Sequence, residues 1–146
     1  MSRFHIDIEV SIAGYPKWRL TGYYGNPDRN RRRESWDQLR LLATSSHLPW
    51  VCIGDFNDLL YQHEKMGLHK HPSWLLNGFK EAIDDYNLCD LGLVGHQFTW
   101  FKSKGTPNWV EERLDRAFAS PSWTDIFPSA YVHNLGHFHL IMHLSS

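Results

Sequence analysis

The chain has 146 residues, 42% of them hydrophobic and 14% aromatic, the size of one domain with enough apolar content for a core, which excludes a disordered segment. Its 15 basic and 16 acidic residues leave a formal charge of -1, so there is no global attraction to nucleic acid and any such contact needs a local patch. Cys52 and Cys89 form no Cys-x-x-Cys spacing and no framework, which points to a reduced intracellular setting; no leading apolar segment reads as a signal peptide, and no run reaches the ~20 residues of a membrane span.

Residues 4–12 and 17–24 read as alternating strands joined by Ala13-Gly14-Tyr15-Pro16, and the second ends at Tyr24-Gly25-Asn26-Pro27. Arg29, Arg31, Arg32 and Arg33 then open a helix expected over residues 34–45, with Trp36, Leu39 and Leu42 on its apolar side. A charge run of this kind is usually a solvated helix face, with phosphate binding the alternative. The apolar run Pro49-Trp50-Val51-Cys52-Ile53 predicts a strand over residues 49–54, with Cys52 in the core, that leads into Gly54-Asp55-Phe56-Asn57. Leu59, Leu60 and Met66 fall in a polar loop running to Pro72, where Glu64-Lys65 reads as a surface ion pair or loop anchor. Trp74, Leu75, Phe79 and Ile83 recur at helical spacing up to about Asn87, before a short apolar piece at residues 88–93. A hairpin is expected between residues 98–101 and 109–115, turning at Lys104-Gly105-Thr106-Pro107. From residue 112 to 120, Leu114, Ala117 and Phe118 mark one apolar face that fits a strand or a helix equally. The tryptophans at 36, 50, 74, 100, 109 and 123 are read as core and edge residues rather than base-stacking platforms.

Chemistry concentrates at Gly54-Asp55-Phe56-Asn57. In an extended backbone Asp55 and Asn57 share one face while Phe56 packs on the other. A carboxylate orients a water or holds a cation, and an amide donates to a phosphate oxygen without adding charge. The end of a strand is where α/β folds build such sites. Gly, Asp and Asn are also turn residues, so the tetrapeptide alone fits a plain strand-end turn equally well.

Four motifs in order, Tyr24-Gly25-Asn26-Pro27, Gly54-Asp55-Phe56-Asn57, Phe98-Thr99-Trp100 and Arg113-Leu114-Asp115-Arg116, resemble the endonuclease/exonuclease/phosphatase superfamily. With Glu64-Lys65, Ser122-Trp123 and Phe127-Pro128, the resemblance is closest to the endonuclease domain of plant LINE-type retrotransposons and extends to about residue 135. It implies an α+β fold, a partial four-layer sandwich of two β-sheets flanked by helices, forming a single domain over residues 1–146. It implies a phosphodiesterase dependent on Mg²⁺ or Mn²⁺, with DNA as partner, a nuclear location, and no small-molecule cofactor. Asp55 would orient or activate the attacking water and Asn57 would bind the scissile phosphate, together with Arg113. Tyr24 would lie against that phosphate, and Asp115 would pair with a catalytic histidine. The metal ligands themselves are not assigned.

Two departures from the family pattern follow. The family's closing Ser-Asp-His-x-Pro reads here His137-Phe138-His139-Leu140-Ile141, so His139 is taken as the histidine, with His133, His137 and His143 as other registers, and Phe138 stands where an aspartate belongs. The family's early Asn and metal-binding Glu precede Met1 in this alignment, so the domain is expected to be amino-terminally truncated, with sheet edges and an inner face exposed and activity impaired or lost. The alternatives are a nucleic-acid binder without catalysis, using Asn57, Arg113 and Arg116, and a zinc module built from His133, His137, His139 and His143, with His69 and His71.

Overall fold

A computed structural model describes residues 5–136 and 139–145. In chain order its elements are β1 (His5–Val10), β2 (Trp18–Tyr24), α1 (Arg32–Thr44), β3 (Trp50–Asp55), β4 (Lys65–Met66), α2 (Ser73–Asp84), β5 (Cys89–Asp90), β6 (Gly92–Gly95), β7 (Trp100–Lys102), β8 (Val110–Glu112), β9 (Asp115–Ala119), α3 (Pro121–Ile126), β10 (Tyr131–Gly136) and β11 (His139–His143). The α+β class expected from the sequence holds. The strands form a five-stranded sheet in the order β1-β2-β3-β9-β5, a three-stranded sheet β11-β10-β6, and a small third sheet β4-β8-β7 built on the hairpin. Among the described residues no helix is long and apolar enough to cross a membrane.

The two faces of the main sheet have different cover. On one, α1 and α2 bring Trp36, Leu39, Leu42, Leu75, Phe79 and Ile83 against Tyr23, Trp50, Cys52 and Phe118. On the other, Trp123, Phe127 and Val132 cover Trp18, Val51, Ala117 and Ala119. Strand alternation dictates the division: Val51 and Ile53 serve one core while Cys52 serves the other. Of the tryptophans, Trp74 and Trp109 sit at the edge, 45% and 38% exposed.

Several boundaries differ from the sequence expectation for definite reasons. Residues 115–119, which fitted either period, form a strand because they pair with β3 from Val51↔Ala119 to Asp55↔Asp115; tertiary pairing decides where periodicity cannot. The apolar piece at 88–93 divides, with β5 joining the main sheet at β9 and β6 running parallel to β10. Leu59 and Leu60, expected in a polar loop, are buried. Leu60 packs in the α1/α2 core and its N–H donates to Glu64.

Glu64 is buried, not a surface pair, and it is the hub of an ion network. Arg116, wholly buried, donates from Nη1 and Nη2 to Glu64 at 2.9 Å each, and from Nη1 to Asp90 at 3.0 Å. Arg113 donates to Asp90 at 3.0 Å and to Glu64 at 3.4 Å. The N–H groups of Leu60 and Tyr61 donate to Glu64 Oε1 at 2.7 and 3.2 Å. Burial alone would raise the Glu64 pKa, but the Arg116 hydrogen bonds and charge outweigh it and hold it below the usual carboxylate range. Three chain segments thus meet on one buried cation. Removing one member of such a network costs about 3–5 kcal/mol, because the opposite charge stays buried without its partner. Glu64→Ala is expected to lower the unfolding free energy by that order in urea denaturation near neutral pH; a loss under about 1 kcal/mol would show that the network is not a principal support.

Candidate active site

The central strand β3 ends between β2 and β9, and the register sets Tyr24, Asp55 and Asp115 side by side: Tyr24↔Asp55 in the parallel ladder and Asp55↔Asp115 in the antiparallel one. Cross-strand partners share a face, with Cβ atoms about 5 Å apart. Two carboxylates and a phenol ring therefore converge at one edge of the sheet. It is the face of Val51 and Ile53, toward the second sheet, whereas Phe56 packs away from it, stacked on Tyr23 at 5.0 Å and edge-on to Phe118 at 5.0 Å.

The backbone at this edge is tightly drawn. Gly54 has φ +154°, and a Cβ there would run into the Tyr23 carbonyl oxygen; at Gly25 a Cβ would strike the Phe56 carbonyl. Both positions need glycine. Asn57 turns the chain at φ 51°, a left-handed conformation that asparagine tolerates. Its N–H donates to Asp55 Oδ1 at 2.8 Å, and its side-chain Nδ2 donates to the Gly25 carbonyl at 2.8 Å. The Gly25 N–H donates back to the Asp55 carbonyl at 2.8 Å. The motif is thus a turn and a cluster of polar groups at once. One of the two Nδ2 hydrogens is spent on Gly25, which leaves one for a ligand.

Electrostatics mark the same place. Burial pushes Asp55 up to about 6, with the negative charge of Asp115 adding to the rise and the Asn57 N–H opposing it. Asp115 is also raised by burial, against a hydrogen bond from Thr99. Thr99 Oγ1 accepts from the N–H groups of Leu114 and Asp115 at 2.9 and 3.0 Å, fixing the start of β9. Among the described residues no guanidinium bonds either carboxylate. A cleft of about 430 Å³ lined by His96, Phe98, Thr99, Trp100, Lys104 and Asn134 opens alongside.

Three expected roles do not assemble here. Arg113, read as a phosphate ligand, is held between Glu64 and Asp90, as Arg116 is, so both guanidiniums are engaged inside the fold. His139, read as the partner of Asp115, is exposed at the start of β11, opposite Gly136 across an irregularity in the ladder, and no hydrogen bond joins it to Asp115 among the described residues. His137 and Phe138 lie outside the described residues. Of the expected zinc set His137 lies outside the described residues, and among those described no three His, Cys, Asp or Glu side chains are grouped to hold a metal. The His143 ring stacks on Tyr131 at 4.5 Å, and burial with nearby positive charge holds the His71 imidazole down to about 4.

Sequence reasoning missed Asp58, Arg32 and Glu64 as polar groups of the interior. The available signal was an acid next to Leu59-Leu60, since a charge set in an apolar run needs a buried partner.

A model described as the Endonuclease/Exonuclease/phosphatase family matches residues 2–137, and the chain belongs to that family. Among solved structures it is similar to the endonuclease domain of TRAS1, a telomere-specific non-LTR retrotransposon (TM-score 0.68, 13% identity, 98% of this chain and 64% of that one). It is similar also to the 3'-5' exonuclease NExo from Neisseria meningitidis (TM-score 0.66, 16% identity, 96% and 65%). A third is a beta toxin variant from Staphylococcus aureus with bound magnesium ions (TM-score 0.54, 14% identity, 96% and 53%). The chain therefore spans between about half and two thirds of the length of these structures. Comparison with curated proteins finds no match.

A carboxylate raised toward 6 holds its proton more tightly in the fold than in the unfolded chain. Its contribution to stability is therefore most favourable below the ordinary carboxylate pKa and is lost as pH rises through about 6. Asp55→Asn removes that loss, so it is expected to stabilise the chain at about pH 7.5 by on the order of 1 kcal/mol, discounted for solvent screening, and to gain little at about pH 4. Urea denaturation at the two pH values checks this; equal or lower stability of the variant at the higher pH would contradict it.

Proposed function

We propose that the site at the end of β3 hydrolyses phosphodiesters in DNA with the help of a divalent cation, Mg²⁺ or Mn²⁺. The observation that carries this reading is the lateral register of Tyr24, Asp55 and Asp115 with Asn57 turned back over them. Mg²⁺ keeps several waters and commonly takes only one or two protein carboxylates. Asp55 and Asp115, adjacent, raised and unpaired with any arginine, are a donor set that fits such an ion. When bound, the cation neutralises charge on the phosphate.

The protein groups have separate tasks in this reading. Above about pH 6 Asp55 is ionised and accepts a proton from the attacking water. The second Nδ2 hydrogen of Asn57 holds a phosphate oxygen, and the Tyr24 ring borders the phosphate. Asp115 keeps the local charge negative and orients what lies beside it. A DNA substrate and descent from a non-LTR retrotransposon endonuclease are supported by the likeness to the TRAS1 domain and by a form of the Neisseria NExo bound to a product DNA hairpin; action in the nucleus is part of the proposal. Because no hydrogen bond joins His139 to Asp115 among the described residues and Arg113 is internally paired, turnover is expected to be weak.

A second reading, DNA binding without cleavage, is favoured by the absence, among the described residues, of a hydrogen bond between His139 and Asp115. Nicking of supercoiled plasmid distinguishes the two. The proposal expects Mg²⁺-dependent nicking that EDTA abolishes and that falls at least a hundredfold in Asp55→Ala, with a rate rising as pH passes about 6. Folded protein that binds plasmid in a salt-dependent way but never nicks it would overturn hydrolysis in favour of binding.

A further inference from the structure

Behind the strand-end site lies a second buried ion pair that no catalytic role accounts for. Arg32 and Asp58 are 4% and 1% exposed, and they meet at 3.0 Å. Arg32 does more than neutralise: Nε donates to the Asn26 carbonyl at 2.9 Å and Nη2 to the Pro27 carbonyl at 3.3 Å. Asp58 accepts on its other oxygen from Trp36 Nε1 at 2.6 Å. Three residues after Arg32 on α1, Ser35 Oγ accepts from the Asn26 N–H at 2.7 Å.

These bonds tie both loops of the site to one helix. The loop after β2 follows Tyr24 and is held through Asn26 and Pro27. The turn after β3 carries Asn57 and is held through Asp58. The two loops touch each other at the Asn57 to Gly25 hydrogen bond. A planar guanidinium with a fixed fork is the side chain suited to bridging three acceptors from two segments, which an ammonium cannot do.

We propose that Arg32 and Asp58 are positioning residues: a clamp, mounted on α1, that sets the Asn57 turn against the Tyr24 loop and so fixes the phosphate-facing groups. Neither touches the substrate. The clamp deepens the phosphodiesterase reading and rests on it for its effect on rate, but its effect on loop order stands independently. It also explains why an arginine in a run of four is buried when the rest of the run is exposed. Bringing a charged pair into the interior is costly unless every donor finds a partner, and here the partners are the loop carbonyls themselves.

The test uses Asp58→Asn, which leaves either Arg32 or Trp36 without an acceptor, and Arg32→Lys, the milder change, which keeps the charge but not the fork. Ile83→Val, a core substitution under α2 costing about 0.5–1.5 kcal/mol, serves as a control for general destabilisation. Native-state hydrogen exchange of the Asn57 amide, which is bonded to Asp55, is the direct readout. Exchange should quicken about tenfold or more in both clamp variants beyond any change in global stability, and only in proportion to stability in Ile83→Val. If the Asn57 amide follows global stability in all three, the clamp is merely structural and the proposal fails. In plasmid nicking the clamp variants should lose kcat about tenfold with KM little changed, and Arg32→Lys should not rescue. Absence of nicking by the unmodified chain would sink the phosphodiesterase reading, while hydrogen exchange would still decide the clamp.

Discussion

A guanidinium with no access to water governs this fold. Arg116 sits on β9, between the central strand β3 and the edge strand β5, and a buried cation of that kind persists only if carboxylates are brought to it. Glu64 comes from the loop after β3 and Asp90 from β5, and Arg113 threads between the same two acids. Loop, central strand and edge strand are therefore positioned by one electrostatic requirement. Burial depresses the pKa of Arg113 yet Arg116 is raised, because its bonds to Glu64 and Asp90 outweigh its own desolvation. Asp115 is adjacent to Arg116 on the strand, so whatever fixes Arg116 also fixes one carboxylate of the candidate site.

The site acids Asp55 and Asp115 lie on the opposite face of the sheet from Arg116, which faces Phe79 and Phe118. Ordered strands bring Tyr24, Asp55 and Asp115 into line, two glycines allow the chain to pass where no side chain fits, and Asn57 closes the turn. The interior acids, Glu64 and Asp58, are each bonded to an arginine; the two acids at the edge are not. The fold thus bonds these interior carboxylates to arginines and leaves the two acids at the edge without a bonded guanidinium among the described residues.

Much of this was legible in the sequence. Alternation placed β2 and β3, and the ordered motifs identified the family and brought Tyr24, Asp55, Asn57 and Asp115 to one edge. Local patterns failed where long-range partners decide. Residues 115–119 suited a helix as well as a strand until β3 was there to pair with them. The arginines at 32, 113 and 116 looked like surface or phosphate-binding groups, because a sequence shows a charge but not the distant acid that neutralises it; Glu64 is 52 residues from Arg116. His139 could be named only by resemblance to the family's closing segment, and its position depends on how β11 returns beside β10, which no local signal encodes.

Whether the unneutralised pair is a cation site is the claim on which the account turns, and Mn²⁺ binding followed by electron paramagnetic resonance tests it without requiring turnover. The account predicts one bound Mn²⁺ per chain, lost or weakened at least tenfold in Asp55→Asn and in Asp115→Asn with the fold intact by circular dichroism. Folded protein that binds no Mn²⁺, or binds it equally well in both variants, would contradict the assignment of this edge as the active centre.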